Sequence, residues 1–326
     1  MKFLSARITG VALSSVIALL GTAAAVAGPP RAAFVTLGTM GGPVPDGHRS
    51  QPANAILHDG KTYLVDTGDG TVQQMARAGL PLPSVRAIFL SHLHVDHIGG
   101  LAAILGLRNQ TEARDILTIY GPPGTRELVA GLVASLQPSA KAGYGIPGKS
   151  WTPPENTVSV IELRDGESIR VDDMTVRVAQ NTHYDFAPGS VEDRHYKSFA
   201  LRFDLPGRSI AYTGDTGPSA AVERLASGAD LLVSEMIDID ATLDRVARTS
   251  PNMPAAVKAT MVQHLTTHHL TPQEVGALAA RARVKAVAVT HIAGGTPDAA
   301  RTRAYAVTIA KSFTGPVAIA NDLDRF

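Results

Sequence analysis

The chain has 326 residues, a formal net charge of +1, 18% charged and 44% hydrophobic residues, and no cysteine. That length buries a substantial core, as one large α/β domain or two ordinary ones, and the near-neutral balance does not advertise nucleic-acid binding. The missing cysteines exclude disulfides, thiolate metal ligands and a cysteine nucleophile, so any metal is held by nitrogen and oxygen.

At the N-terminus Lys2 and Arg7 precede an apolar run from Ile8 to Leu20, and Ala25-Val26-Ala27 places small residues just before a cut at Gly28. The pattern predicts a secretory signal peptide over residues 1–27, and Gly10, Ser14, Ser15, Gly21 and Thr22 argue against a retained membrane anchor. Residues 28–326 are expected to form a single domain, periplasmic or secreted, with no stable membrane association after cleavage.

From Ala33 a strand, a glycine- and proline-rich loop and two strands around His58-Asp59-Gly60-Lys61 lead to Asp66, Gly68, Asp69 and Gly70. Asp66, at a strand end beside glycines, is suited to orient a metal-binding histidine from behind, and Asp69 to cap a helix over Thr71–Ala78. The next strand, Val85–Leu90, stops at His92-Leu93-His94-Val95-Asp96-His97, after which Gly99 and Gly100 permit a turn into a helix over Leu101–Leu107. Alternate residues of an extended segment point the same way, so His92 and His94 can grip one ion, while the turn sends Asp96 and His97 towards a second. Imidazoles with a carboxylate suit Zn²⁺ first, and Mn²⁺ or Fe²⁺ fit the same donors.

A strand over Ile116–Tyr120 and a helix over Pro123–Leu136 follow, then a loop from Gln137 to Thr157 that carries Tyr144 and Trp151 and reads as a lid, a recognition arm or a plain insertion. Strands are expected over Val158–Leu163 and, as one run, Ser168–Ala179, which delivers His183 ahead of a loop from Tyr184 to His195. A hairpin of Phe199–Asp204 and Ser209–Tyr212 delivers Asp215 in Thr213-Gly214-Asp215-Thr216, Leu231–Val233 delivers Glu235, and Lys285–Thr290 delivers His291. Between them, 238–261 reads as a helical insertion able to roof a pocket. Thr271-Pro272-Gln273-Glu274 is a capping box that starts a helix to Ala282 and holds His269 just before it, with His264 and His268 as competitors for any catalytic role. A lone histidine at a strand end is ordinarily just solvated; five strands that each end in a ligand type point instead to residues gathered along one sheet edge.

These motifs, Val65-Asp66-Thr67-Gly68, His92/His94/Asp96/His97, His183, Asp215 and His291 in that order, resemble the metallo-β-lactamase superfamily over essentially all of the mature chain. The resemblance implies an α/β fold, the αββα four-layer sandwich, with a dinuclear centre on one edge. It implies two divalent metal ions, the first held by His92, His94 and His183, the second by Asp96, His97 and His291, with Asp215 bridging. Asp215 in that setting disfavours a true β-lactamase. Leu37-Gly38-Thr39-Met40-Gly41-Gly42-Pro43, the strand end at Glu235 and His269-Leu270-Thr271 resemble the ribonuclease Z and arylsulfatase-like branch, which implies that His269 assists the leaving group with Glu235 beside it.

The expected function is that of an exported dinuclear-metal hydrolase, in which a metal-bridging hydroxide cleaves a phosphodiester or sulfate ester. Asp96, His269 and Glu235 carry the chemistry, and a small-molecule ester is the expected substrate. Alternatives are a lactonase or carboxylesterase on the same site, or a non-catalytic periplasmic metal- or ligand-binding protein. Nucleic acid is not expected as a partner, because the 137–157 arm offers only Lys141 and Lys149 as bases. The oligomeric state is open, a homodimer being one option.

Overall fold

Alternation along the strands decides the layering. In β1 (Ala32–Gly38) Phe34 enters one core while Val35 and Leu37 enter another. In β3 (Lys61–Thr67) Tyr63 and Val65 join Phe34, whereas Leu64 joins Val35. A period of two buried on both faces requires a sheet covered on both sides. The computed structural model describes residues 32–148 and 152–326; the signal peptide expected over 1–27, with Lys149 and Trp151 of the arm, lies outside the described residues.

The first sheet has six strands in sequence order: β1, β2 (Ala53–His58), β3, β4 (Val85–Phe89), β5 (Leu117–Gly121) and β6 (Val158–Glu162). It is antiparallel from β1 to β3 and parallel from β3 to β6. The second sheet has seven: β7 (Ser168–Val171), β8 (Met174–Gln180), β9 (Phe199–Leu205), β10 (Arg208–Tyr212), β11 (Leu231–Ile237), β12 (Val287–Ala293) and β13 (Val317–Ile319). It is antiparallel from β7 to β10 and parallel from β10 to β13.

Phe34, Phe89, Val176, Phe203 and Tyr212 fill the space between the sheets. Outside the first sheet, Ile104 and Val129 bring in the helices Leu101–Gln110 and Thr125–Ala142; outside the second, Val222, Leu278 and Ile309 bring in Ala220–Ala226, Pro272–Ala282 and Ala299–Ala310. The result is the expected four-layer αββα sandwich. Parallel strands β3, β4, β10, β11 and β12 put their C-terminal ends on one edge, the position at which parallel sheets place ligands.

Several boundaries differ from the sequence reading. Ser168–Ala179 is not one strand but the hairpin β7–β8, because Asp172 adopts a left-handed conformation (φ 52°) and turns the chain. The helix expected to stop at Leu136 runs on to Ala142 through Pro138, so the arm is shorter. Pro138 lies on the exposed side, where water can serve the carbonyl it leaves without a partner, and buried Ala140 docks the last turn. Asp69 does not cap the helix Thr71–Arg77: Gly70 occupies the cap position in a left-handed conformation with no side-chain bond. The expected insertion is a pair of helices, Ile239–Thr249, capped by Asp238, and Ala255–Thr267.

The C-terminal segment, unread in the sequence, pins the loops that feed this edge. Asp322 accepts hydrogen bonds from Thr39 N–H (2.9 Å), Thr39 Oγ1 (2.6 Å), Ser50 N–H (2.7 Å) and Gln74 Nε2 (2.6 Å). Removing one charged acceptor strands four donors at once. Asp322→Ala is expected to lower stability by about 2–4 kcal/mol, with Asp322→Asn intermediate, as read by denaturant unfolding; wild-type stability in the alanine variant would remove the tail from this role.

Candidate metal centre

Each element ends where its side chain is needed. β4 ends at Phe89, and the chain turns at His94, the N-cap of the short helix Val95–Ile98 that presents Asp96 and His97. His183 follows β8, Asp215 follows β10, and Glu235 and His291 lie within β11 and β12 near their C-terminal ends. All nine residues singled out from the sequence come together.

In one group His94 Nδ1 lies 3.1 Å from His92 Nε2 and 3.1 Å from His183 Nε2. In the other, His97 Nε2 and His291 Nε2 lie 3.7 and 3.6 Å from Asp96 Oδ2. Asp215 stands between them: its Oδ2 is 3.1 Å from His291 Nε2, 3.4 Å from His97 Nε2, 3.9 Å from His183 Nε2 and 4.0 Å from His92 Nε2. His97 Nε2, both ring nitrogens of His291 and Asp215 Oδ1 are buried without a hydrogen-bond partner. Buried polar atoms are ordinarily satisfied, so these orphans fit a divalent cation in the second group, while His92, His94 and His183 bring three ring nitrogens within 4.8 Å of one another, as a cation in the first would need.

The electrostatics agree. Burial would raise the pKa of Asp215, but His291 and His97 beside it hold it well below the carboxylate range. For Asp96, burial is likewise outweighed by His97 and His291, and the pKa falls to about 2. Burial disfavours a charged His97, yet Asp215, Asp96 and Asp66 drive its pKa well up, and Asp215 takes that of His291 to about 10. His92 and His183 are pushed well down, chiefly by burial. This edge therefore concentrates carboxylate charge that demands positive charge, beside neutral imidazoles with lone pairs to give.

Second partners fix the rings. Asp66 accepts from Ser91 N–H (2.7 Å), Ser91 Oγ (2.8 Å), Tyr212 Oη (2.7 Å) and His97 Nδ1 (2.8 Å), which leaves His97 Nε2 as the inward atom. His183 Nδ1 faces the His268 carbonyl at 3.3 Å. His269 Nδ1 donates to Glu235 Oε2 (2.8 Å), and Glu235 Oε1 accepts from Thr216 N–H (2.8 Å). The sequence reading missed Tyr212 and Ser91, which carry no signal outside the fold, and Tyr184, whose ring lies 5.4 Å from that of His94. A cavity of about 860 Å³ opens on the centre, lined by His94, His183, His264, His269 and Tyr184 and roofed by Arg245 and Leu265 of the two inserted helices.

Asp66→Asn is expected to weaken retention of the cation at Asp96, His97 and His291 by roughly 10- to 100-fold, because the amide no longer fixes the His97 tautomer. Metal stoichiometry after dialysis against a chelator reads this, and full retention would contradict the role given to Asp66.

Comparison with known proteins places this geometry. The Beta-lactamase superfamily domain matches residues 61–292. The chain is 32% identical over 294 residues to the Ribonuclease Z of Mycolicibacterium paratuberculosis, covering 89% of this chain and 96% of the relative. It is 33% identical over 300 residues to that of Mycobacterium sp. (strain KMS), covering 89% and 94%. Among solved structures, the metallo-beta-lactamase fold protein YhfI from Bacillus subtilis aligns with TM-score 0.64 and 17% identity over 90% of this chain and 98% of that one. Human tRNase Z, short form, aligns with TM-score 0.58 and 20% identity over 90% and 98%.

These relatives overturn the expectation of a small-ester substrate and no nucleic-acid partner. Counting bases in one arm was a poor guide to partners, since cations held in the centre can meet a phosphate without help from lysines, and part of that arm is helix. Family match, near full-length identity and fold agree: the chain belongs to the metallo-β-lactamase superfamily of metal-dependent hydrolases, in its ribonuclease Z branch.

Proposed function

We propose that the protein is a phosphodiesterase of the ribonuclease Z type that cleaves RNA, with His92, His94 and His183 holding one divalent cation, Asp96, His97 and His291 a second, and Asp215 between them. The observation that carries this is the single oxygen, Asp215 Oδ2, within 4.0 Å of nitrogens from both histidine groups. When bound, such a pair of cations acidifies water and draws charge from phosphoryl oxygens; zinc suits the donors first. Residues 1–27 add to the reading an export step that leaves the mature chain outside the cytoplasm.

The chain's own residues do the rest. Asp66 holds the proton of His97 on Nδ1, so the lone pair of Nε2 faces inward. His269 is the proposed proton donor to the leaving oxygen. Burial would lower its pKa, but the Glu235 carboxylate against Nδ1 raises it, so Nε2 keeps a proton to give. His264, on the helix Ala255–Thr267, is pushed down to about 4 by burial and by His269 and His268, which makes it the weaker donor.

The test uses the purified mature chain and a tRNA transcript extended at both ends by unpaired nucleotides. Cleavage that stops with a chelator and returns with Zn²⁺ supports the reading; absence of cleavage at full metal occupancy overturns it. His92→Ala, Asp96→Ala and Asp215→Ala are expected to abolish cleavage together with metal content. His269→Ala should keep the metal and lower kcat by about 10²- to 10⁴-fold; metal loss in that variant would reassign His269 to the ligand set.

A further inference from the structure

The segment after His183 carries a run of aromatic rings that the chemistry above does not use. Tyr184 lies with its ring centroid 5.2 Å from that of His183 and 6.0 Å from that of His92. Phe186 follows at 5.6 Å from Tyr184, and Tyr196 at 5.8 Å from Phe186. The run passes from the centre to the surface, where Phe186 is 38% and Tyr196 56% exposed. Neither ring belongs to a buried core cluster; they pack on one another and on Tyr184 and leave a contiguous aromatic face open to water.

The segment is braced nonetheless. Ser190 caps the short helix Val191–His195 by accepting from Asp193 N–H (2.9 Å). Asp193 accepts in turn from Gly189 N–H (2.8 Å) and Lys197 Nζ (2.6 Å). Two rings are thus presented on an anchored loop, while the nearby lysine is committed to a carboxylate.

Resting on the ribonuclease reading, we propose that Tyr184, Phe186 and Tyr196 form a stacking platform for unpaired nucleobases flanking the scissile phosphodiester. Every base has a π-face, so stacking on aromatic rings grips a single strand without sequence preference and without free lysines. Affinity for RNA then comes from cations at the cut and rings beside it, which suits a chain whose formal net charge is only +1 before, and −1 after, loss of Lys2 and Arg7 with residues 1–27.

The test measures cleavage by the zinc-loaded full-length mature protein on the extended tRNA transcript, and on the same transcript with abasic riboses on both sides of the mapped cut. Phe186→Ala and Tyr196→Ala should each raise KM roughly tenfold on the intact transcript and leave kcat unchanged. The penalty should disappear on the abasic transcript, and Phe186→Trp should keep the wild-type KM. An equal penalty on both transcripts, no penalty on either, or loss of metal in the variants overturns the platform while the ribonuclease reading stands. If the rings instead seat a second copy of the chain, Phe186→Ala dissociates a dimer with no base-dependent change in KM, and the platform is again overturned. A wild-type protein that cleaves neither transcript overturns both readings.

Discussion

A carboxylate with almost no access to water keeps its charge only if positive charge is fixed beside it, and Asp215 is such a group, 3% exposed between two sets of histidines. A proton on His97 or His291 answers that need, and so does a divalent cation held by the same nitrogens. The arrangement of this edge follows from that constraint. The rings of His97 and His291 must bring their Nε2 atoms to Asp215, and the groups behind them must stop them from turning away.

Those groups sit in backbone that the surrounding sheets force into place. Asp66 and His291 both adopt positive φ, 57° and 43°, a conformation that residues with a side chain take up only when packing overrides the local cost. Asp66 is completely buried, and its four donors come from two strand ends, at Ser91 and Tyr212, and from His97 on the short helix, so it joins the two sheets as much as it serves His97. Close approach on the other side has the same effect. A Cβ on Gly41 would sit 2.8 Å from His291 Nδ1, so a glycine is what allows the loop from β1 to lie over that ring. The side chains of the centre are accordingly held on fixed backbone, as a site that positions reacting groups requires.

Around this edge the covering parts are differently made. Neither roof helix contributes a buried residue. Ile239–Thr249 is tied down instead through Arg245, which donates to Asp46 (3.1 Å) and to the Pro45 carbonyl (2.6 Å). The cavity wall over the centre is thus built in part from elements outside the cores, where side chains can change without loss of the fold.

Much of the fold and of the centre was legible in the residues themselves. Strand alternation, the turn glycines and the capping box at Thr271 are local physics, and His92-Leu93-His94-Val95-Asp96-His97 packs its donors into six positions, so each declares itself without distant partners. The elements that depend on tertiary contacts did not declare themselves: Pro138 inside a helix, Gly70 rather than Asp69 at the cap, and a turn at Asp172 in what reads as one strand. Likewise His183, Asp215 and His291 are ordinary strand-end residues until two sheets bring them within reach of one another. The sequence by itself determined the kinds of donor, the strands that carry them and the family to which they point. Only the tertiary structure decided that Tyr212 and Ser91 steady Asp66, that Glu235 belongs to His269, and that Phe186 lies against Tyr196, because each of these contacts joins residues the chain order keeps apart or leaves without a pattern.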